Sequence, residues 1–344
     1  MRERWRLAAL TAYYWATLPA RKRRLRHWAA AGIAPVTILF YHRIHEDRAT
    51  PWTTHPRAFL QQMHWLLERA DLVSLQEVQK RLLAGNFSNR PVVAVTFDDG
   101  YEDNLRAALP FLIDHAVPCT YFVTVENVLR GRPFDHDARY GAAPRPHTPG
   151  QIRSLAESGV EIGSHAWSHR DFGQLNDDET RRQLGDSRHA LEDMISAPVV
   201  RFAFPFGRPE NAPPLAIAAA RHSGYVAVCT AHGGYNVPPC ESFVLRRFHG
   251  DDPWIRMVNR VTVDLRLLRR SAPALRDAVP PAPPSEFAAE AAWAAMPDRA
   301  APAVALAIDD AVSLRLGPND PLSAPSSACQ VAAHEDPCFE SLRG

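Results

Sequence analysis

Two carboxylates and two imidazoles are the residues of this chain most able to do chemistry together. Asp98 and Asp99 are adjacent, lie directly before Gly100, and end the apolar run Val92-Val-Ala-Val-Thr-Phe97. His165 and His169 are four residues apart and follow a second short run, Val160-Glu-Ile-Gly163. Neighbouring carboxylates on a regular strand point to opposite faces. Past a strand end the chain can bend, and a glycine permits an unusual turn, so both can reach one cleft. There they can divide labour, one binding a metal and the other taking a proton from water. Histidines at i and i+4 are expected on one face of a helical turn, where they can grip a single ion. One Asp and two His make three protein ligands and leave open positions, the pattern of a catalytic rather than a structural metal site. An isolated Asp-Asp-Gly is also an ordinary turn, and a lone histidine pair among 15 is also incidental, so their joint placement at strand ends carries the argument.

The elements that must position these groups alternate. Val36–Tyr41, Val92–Phe97, Thr120–Thr124, Val160–Gly163, Val199–Phe204 and Tyr225–Cys229 have the short apolar, β-branched and aromatic character of buried strands. Ala58–Ala70 repeats its apolar residues at helical spacing. Ser74-Leu-Gln-Glu77 is a capping box opening another helix, and Asn104–Ala116 and Glu179–Ile195 continue the series. Strands alternating with helices predict an α/β chain with a mainly parallel sheet, hence a barrel or a doubly wound layer, whose sites lie at the carboxyl ends of the strands. Three regions follow: a basic, aromatic segment at 1–34, the α/β domain at 35–270, and an Ala/Pro-rich tail at 271–344. The tail has no sustained apolar period and is expected to be disordered.

On its motifs the chain resembles the polysaccharide deacetylase family, carbohydrate esterase family 4. Thr96-Phe-Asp-Asp-Gly100 is similar to its first motif, His165-Ala-Trp-Ser-His169 to its second, and Phe202-Ala-Phe-Pro-Phe-Gly207 to its third. The resemblance spans about 35–265 and implies a distorted (β/α) barrel of about seven parallel strands. It also implies hydrolysis of N-acetyl groups on an acetylated polysaccharide or glycan, O-acetyl groups being the alternative. It assigns Asp99, His165 and His169 to one divalent metal ion, Zn²⁺ by donor type, and Asp98 to the base. A backbone N–H of Phe206 or Gly207 would face the oxyanion. Two features depart from the family. The arginine of the third motif is replaced by Ala203, leaving Arg201, Arg246 and Arg247 as possible suppliers, and the Asp-x-x-Asp-Trp fourth motif is missing. These gaps support a rival reading, a non-catalytic carbohydrate-binding module of an exopolysaccharide assembly system. For the general acid there are two candidates. His42, in Phe40-Tyr-His-Arg-Ile44, resembles an early motif of exopolysaccharide-processing members and is taken over His249. Phe134, Trp167, Phe206 and Tyr235 are candidates for an aromatic sugar platform.

Composition narrows the rest. A formal net charge of +1 argues against a dedicated nucleic-acid binder. Five cysteines (Cys119, Cys229, Cys240, Cys329, Cys338) without a Cys-x-x-Cys pair give neither a disulfide framework nor a thiolate zinc site, and fit a reducing compartment. The charge is unevenly placed. Within 1–34, seven arginines and Lys22 oppose Glu3 alone, and residues 7–18 are apolar and aromatic. That segment reads as a basic amphipathic surface anchor, giving a cytoplasmic chain with peripheral contact at the inner membrane and leaving export open.

Overall fold

The computed structural model describes residues 2–47, 49–141, 143–251 and 253–268. The expected tail at 271–344 lies outside the described residues.

Among the described residues nine parallel strand segments form one sheet; Asp71–Leu72 is a short offshoot beside Val92–Phe97, and the other eight curl into a barrel. In chain order they are β1 (Val36–Tyr41), β2 (Val92–Phe97), β3 (Cys119–Val123), β4 (Glu161–Ser164), β5 (Arg201–Ala203), β6 (Ala227–Thr230), β7 (Val244–Arg246) and β8 (Phe248–His249). From β1 to β7 each strand pairs in parallel with the next, with Phe40 beside Thr96, Thr96 beside Thr120, Ser164 beside Phe202, and Ala203 beside Cys229. Closure falls to the stretch 244–249. Its first half pairs with β6, its second half with β1 (Phe40 beside His249), and the ladder is interrupted at Arg247. The two halves are one broken strand, which is why a seven-strand expectation and eight segments describe the same barrel. This last strand is short and was not expected from its sequence.

The strands are buried on both faces, as parallel strands covered by helices must be. Outward residues such as Leu39, Val93, Val95, Phe97 and Tyr121 join the core beneath the helices. Inward residues Ile38, Ala94, Phe122, Ala203, Cys229 and Leu245 fill the barrel, and Leu75, Val78 and Leu82 close its amino-terminal end from helix α3 (Leu75–Ala84). Gly163 is required where Phe122 crosses the interior, since a Cβ there would lie 2.4 Å from the ring. Each such fully buried large side chain contributes roughly 1.5–3 kcal/mol. Cys119 and Cys229 are buried thiols whose pKa values burial pushes up to about 12 and about 11, so they are inert packing.

Helix ends follow the sequence signals. Ser74 Oγ accepts from Glu77 N to open α3, and Asn176 with Glu179 forms a reciprocal box at the start of the helix Asp177–Ile195. The first helix, α1 (Arg2–Ala30), is one element of 29 residues. It lies along a late helix, Trp254–Val261, with Tyr14, Leu25 and Ala29 buried. Arg21, within the most basic run, is 1% exposed. Its guanidinium donates to Thr17 Oγ1, Thr262 Oγ1, and the main-chain and side-chain oxygens of Asn259.

Candidate active site

Asp98 continues the inward face of β2, and its carboxylate is held from the last strand. Arg247 donates through Nη1 to Asp98 Oδ1 at 2.7 Å and through Nη2 to Oδ2 at 2.8 Å, with further bonds to Thr96 and the Thr230 carbonyl. The arginine is itself buried and rests 4.6 Å from the Phe40 ring centroid. Burial alone would raise the Asp98 pKa, but Arg247 and the nearby His165 and His42 hold it below the usual carboxylate range. Of the three arginines considered from sequence, the orienting contact is therefore made by Arg247. Arg201 is turned toward the opposite end of the barrel, where it pairs with Glu161 and Gln79.

Asp99 is the bend. Its φ of +73° is left-handed, and Gly100 at +104° follows in a region that glycine tolerates best. The bend turns the second carboxylate into the same cleft as the first. Ala166, His169 and Phe206 also have left-handed backbone, at +69°, +53° and +61°. Strain of this kind, about 1–3 kcal/mol for each residue, concentrates where geometry serves a site.

The histidine pair reaches the cleft by a different route from the one expected. Residues 165–169 form an irregular turn after β4 rather than a helical turn, and the left-handed residues within it bring the two imidazoles together. The turn is pinned where His165 N donates to the Val123 carbonyl and Glu126 N to the Trp167 carbonyl. His165 Nε2 then lies 3.4 Å, and His169 Nε2 3.2 Å, from Asp99 Oδ1. One ligand atom from each of the three residues falls within 4.8 Å of the other two.

The donor chemistry tests whether a cation fits there. His165 Nδ1 is 2.7 Å from the Ala203 carbonyl, which can only accept, so the proton sits on Nδ1 and Nε2 presents a lone pair. Burial pushes the His165 pKa down to about 4, which keeps the ring neutral. Asp99 Oδ1 is buried and has no aligned hydrogen-bond donor. It is held ionised, well below the usual range, because His136 and His169 outweigh the penalty of burial. The bare lone pairs of Asp99 Oδ1 and His165 Nε2 facing one another in a buried site are costly, and a divalent ion between them, joined by His169 Nε2 as a third donor atom, satisfies both.

Three further residues complete the site, none of which stood out in the sequence. Asp251 Oδ2 is 2.9 Å from His42 Nδ1, and its Oδ1 accepts from Thr54. Burial would lower the His42 pKa, but Asp251, with Asp99 and Asp98 behind it, raises it to about 9. The partner of His42 is thus supplied by the stretch after β8. His136 Nε2 is 2.9 Å from the Tyr101 hydroxyl and 3.5 Å from Asp99 Oδ2. Tyr101 donates to Asp137 Oδ2, so its oxygen accepts from His136, and Trp52 Nε1 donates to Asp137 Oδ1. This chain backs the side of Asp99 away from His165. Trp52 itself stands between two histidines, 5.3 Å from the His136 ring and 6.4 Å from His42.

His42, Trp52, His136 and the four motif residues line one cleft of about 740 Å³ at the carboxyl ends of the strands. His249 is at its edge, exposed, with its ring 4.2 Å from Phe40. Of the four aromatics considered for a platform, Phe206 alone lines the cleft, at 52% exposure. Phe134 and Tyr235 are buried, and Trp167 packs on the core. Gly207 N already donates to the Pro205 carbonyl, which leaves Phe206 N as the oxyanion candidate.

Residues 86–228 match the profile of the family described as polysaccharide deacetylase. YxkH of Bacillus subtilis, a protein named for the polysaccharide deacetylases, is 24% identical over 202 residues, 58% of this chain and 66% of its own. The peptidoglycan-N-acetylglucosamine deacetylase of Bacillus cereus is 30% identical over 97 residues, 28% of this chain and 29% of its own. The chain thus spans just under two thirds of the first relative and much less of the second. Two solved structures share the fold. The Streptococcus pyogenes deacetylase PplD in complex with acetate superposes with a TM-score of 0.56, at 22% identity, covering 67% of this chain and 99% of that one. IcaB from Ammonifex degensii gives 0.54 at 21% identity, covering 66% and 97%.

Proposed function

We propose that the chain is a polysaccharide deacetylase, as the profile match over residues 86–228 suggests, and that it hydrolyses N-acetyl groups on hexosamine units of a polysaccharide or glycan. Asp98 is the general base, His42 the general acid, and Asp99, His165 and His169 hold a divalent ion, Zn²⁺ by donor type. The observation that carries this reading is the position of Asp99 Oδ1, buried without a donor and facing two imidazole nitrogens beside a second, arginine-bound carboxylate.

The residues divide the reaction as follows. Bound among its three ligands, the ion would supply Lewis-acid polarisation of the acetyl carbonyl and a water of lowered pKa. Asp98, held ionised by Arg247, accepts the proton of the attacking water. A carboxylate this acidic is a weak base toward bulk water, which is a physical reason to expect an acidified water beside it. Phe206 N–H would serve the developing oxyanion as its main-chain donor, Gly207 N being engaged by the Pro205 carbonyl. His42, kept protonated near neutral pH by Asp251, donates to the departing amine. Trp52 and Phe206 give the sugar apolar faces on either side. The Arg247 contact also removes one of the two supports of the non-catalytic carbohydrate module, the missing third-motif arginine, and leaves the missing fourth motif.

Acetate release tests the proposal. Purified protein is expected to release acetate from an N-acetylhexosamine oligomer and from a chromogenic acetyl ester, to lose both activities on exhaustive chelation, and to regain them with Zn²⁺. Release that is indifferent to chelation would remove the metal from the mechanism. Oligomer binding without acetate release from a metal-loaded preparation would return the carbohydrate-binding reading, and release from O-acetylated oligomers alone would change the bond attacked.

A further inference from the structure

Helix α1 has a second face. Its inward side is spent on the barrel through Tyr14, Arg21, Leu25 and Ala29. On the solvent side, centred about a third of a turn from that face at 3.6 residues per turn, a stripe of Trp5, Ala8, Ala12, Trp15, Pro19, Lys22, Arg23 and Arg26 runs at spacings of three and four residues, all exposed. Trp5 is 72% and Trp15 47% exposed. They are the two large, nearly apolar side chains that α1 leaves exposed, side chains for which a free aqueous surface has little use. The stripe is polarised along the helix, with alanine and tryptophan in its first half and cations in its second. It contains no acid, because the single carboxylate of α1, Glu3, is engaged by Arg256 at 2.7 Å.

We propose that this stripe docks the protein on an anionic lipid bilayer, the helix lying in the plane of the surface. Tryptophan settles at the headgroup level, where one end of the ring is apolar and the other wet. Lysine and arginine alongside it meet anionic headgroups. From Trp5 to Arg26 the stripe runs about 32 Å at 1.5 Å for each residue, a length suited to lying along the interface. No described helix is long and apolar enough to cross a membrane. Charge complementarity selects the occupant. A second copy would bring an acid-free cationic face against its like, and nucleic acid phosphates would find no partner along the alanine and tryptophan half. The buried Arg21 adds a consequence. Because α1 is clamped to the helix Trp254–Val261, the bilayer holds the barrel through a packed element and fixes the height of the cleft above the lipid.

The test uses the full chain with vesicles of phosphatidylcholine plus phosphatidylglycerol, and of phosphatidylcholine alone. The protein is expected to co-sediment with the anionic vesicles, less so as salt rises, and to show tryptophan quenching by brominated lipid. The triple variant K22Q/R23Q/R26Q should weaken binding by on the order of 100-fold, at the few-fold expected of each cation near a charged surface. The double variant W5A/W15A should abolish the quenching. Both should keep the hydrolysis of a soluble acetyl ester, since the stripe lies outside the cleft; the triple variant should keep the melting temperature, and W5A/W15A should lower it slightly because Trp15 packs edge-on to the buried Tyr14. Equal binding to neutral vesicles, no binding to either, or a triple variant that binds like wild type would each overturn the proposal. So would a dimer in solution that the same substitutions dissociate, which would make the stripe a self-interface.

Discussion

Two arginine–carboxylate pairs lie inside this barrel, one toward each end, and only one of them belongs to a site. At the amino-terminal end Arg201 donates to Glu161 and Gln79, Glu161 accepts a second bond from Thr120, and α3 closes over the group. At the other end Arg247 grips Asp98 with two bonds, yet the neighbouring Asp99 keeps a buried oxygen without an aligned donor, and a cleft opens above. The chemistry of the two pairs is nearly the same. What separates them is access: the lower network lies closed in beneath α3, whereas the upper one presents acceptor lone pairs to a cleft that a cation and a substrate can enter. A buried ion pair is by itself weak evidence for stability or function, and here the bare carboxylate oxygen facing an open cleft singles out the end proposed as active.

Breaking each pair should expose that difference. Arg247→Met strands the Asp98 carboxylate in a buried place and should cost about 3–5 kcal/mol of stability together with at least about 10²-fold in activity. Arg201→Met leaves Glu161, which is 30% exposed and can find water. It should cost less stability and leave kcat/KM nearly unchanged. Urea melts and ester hydrolysis on both variants decide this, and equal activity losses would erase the distinction between the two ends.

A pH titration sharpens it further, because the upper end alone holds a histidine raised by a buried acid. The folded pKa of His42, about 9, lies above its ordinary value. Its contribution to stability is therefore complete below about pH 6.5 and lost as pH climbs to about 9, a change of at most about 3 kcal/mol. Metal-free protein should show that decline in urea melts, and Asp251→Asn should flatten it. A wild-type profile level across this window would mean that the pair is not formed.

A smaller effect is expected behind the proposed metal ligands. His136→Gln should weaken metal binding by about 10–100-fold, the usual worth of a partner to a ligating carboxylate, with little change in melting temperature of the metal-free protein. Competition with a chromogenic chelator measures it. Affinity equal to wild type would leave His136 as a lining residue only.

Much of this was legible in the chain, and the remainder failed for identifiable reasons. Asp98 and Asp99 announced themselves because the strand and the bend that aims them are contiguous in sequence. Six strands and the long helices were visible in apolar period and capping residues. Arg247 was only one of three arginines offered, since 149 positions separate it from Asp98 and its strand is broken at that residue. Asp251, His136 and Trp52 act through contacts between distant loops and carry no local pattern. At 165–169 the spacing of histidines was right and the implied helix wrong, because left-handed residues can converge the same side chains. Arg21 shows the opposite failure, as a charge within a basic run reads as solvated and proves buried.

The central claim is that adjacent carboxylates have different jobs, and paired amide substitutions test it most directly. Asp98→Asn and Asp99→Asn are each assayed for bound metal by mass spectrometry and for acetate release. Asp98→Asn is expected to hold metal nearly as well as wild type while activity falls about 10²–10⁴-fold, the range for loss of a general base. Asp99→Asn is expected to lose both, since an amide oxygen replaces a charged ligand beside two imidazoles. Metal lost from Asp98→Asn and retained by Asp99→Asn would contradict the assignment and exchange the two roles.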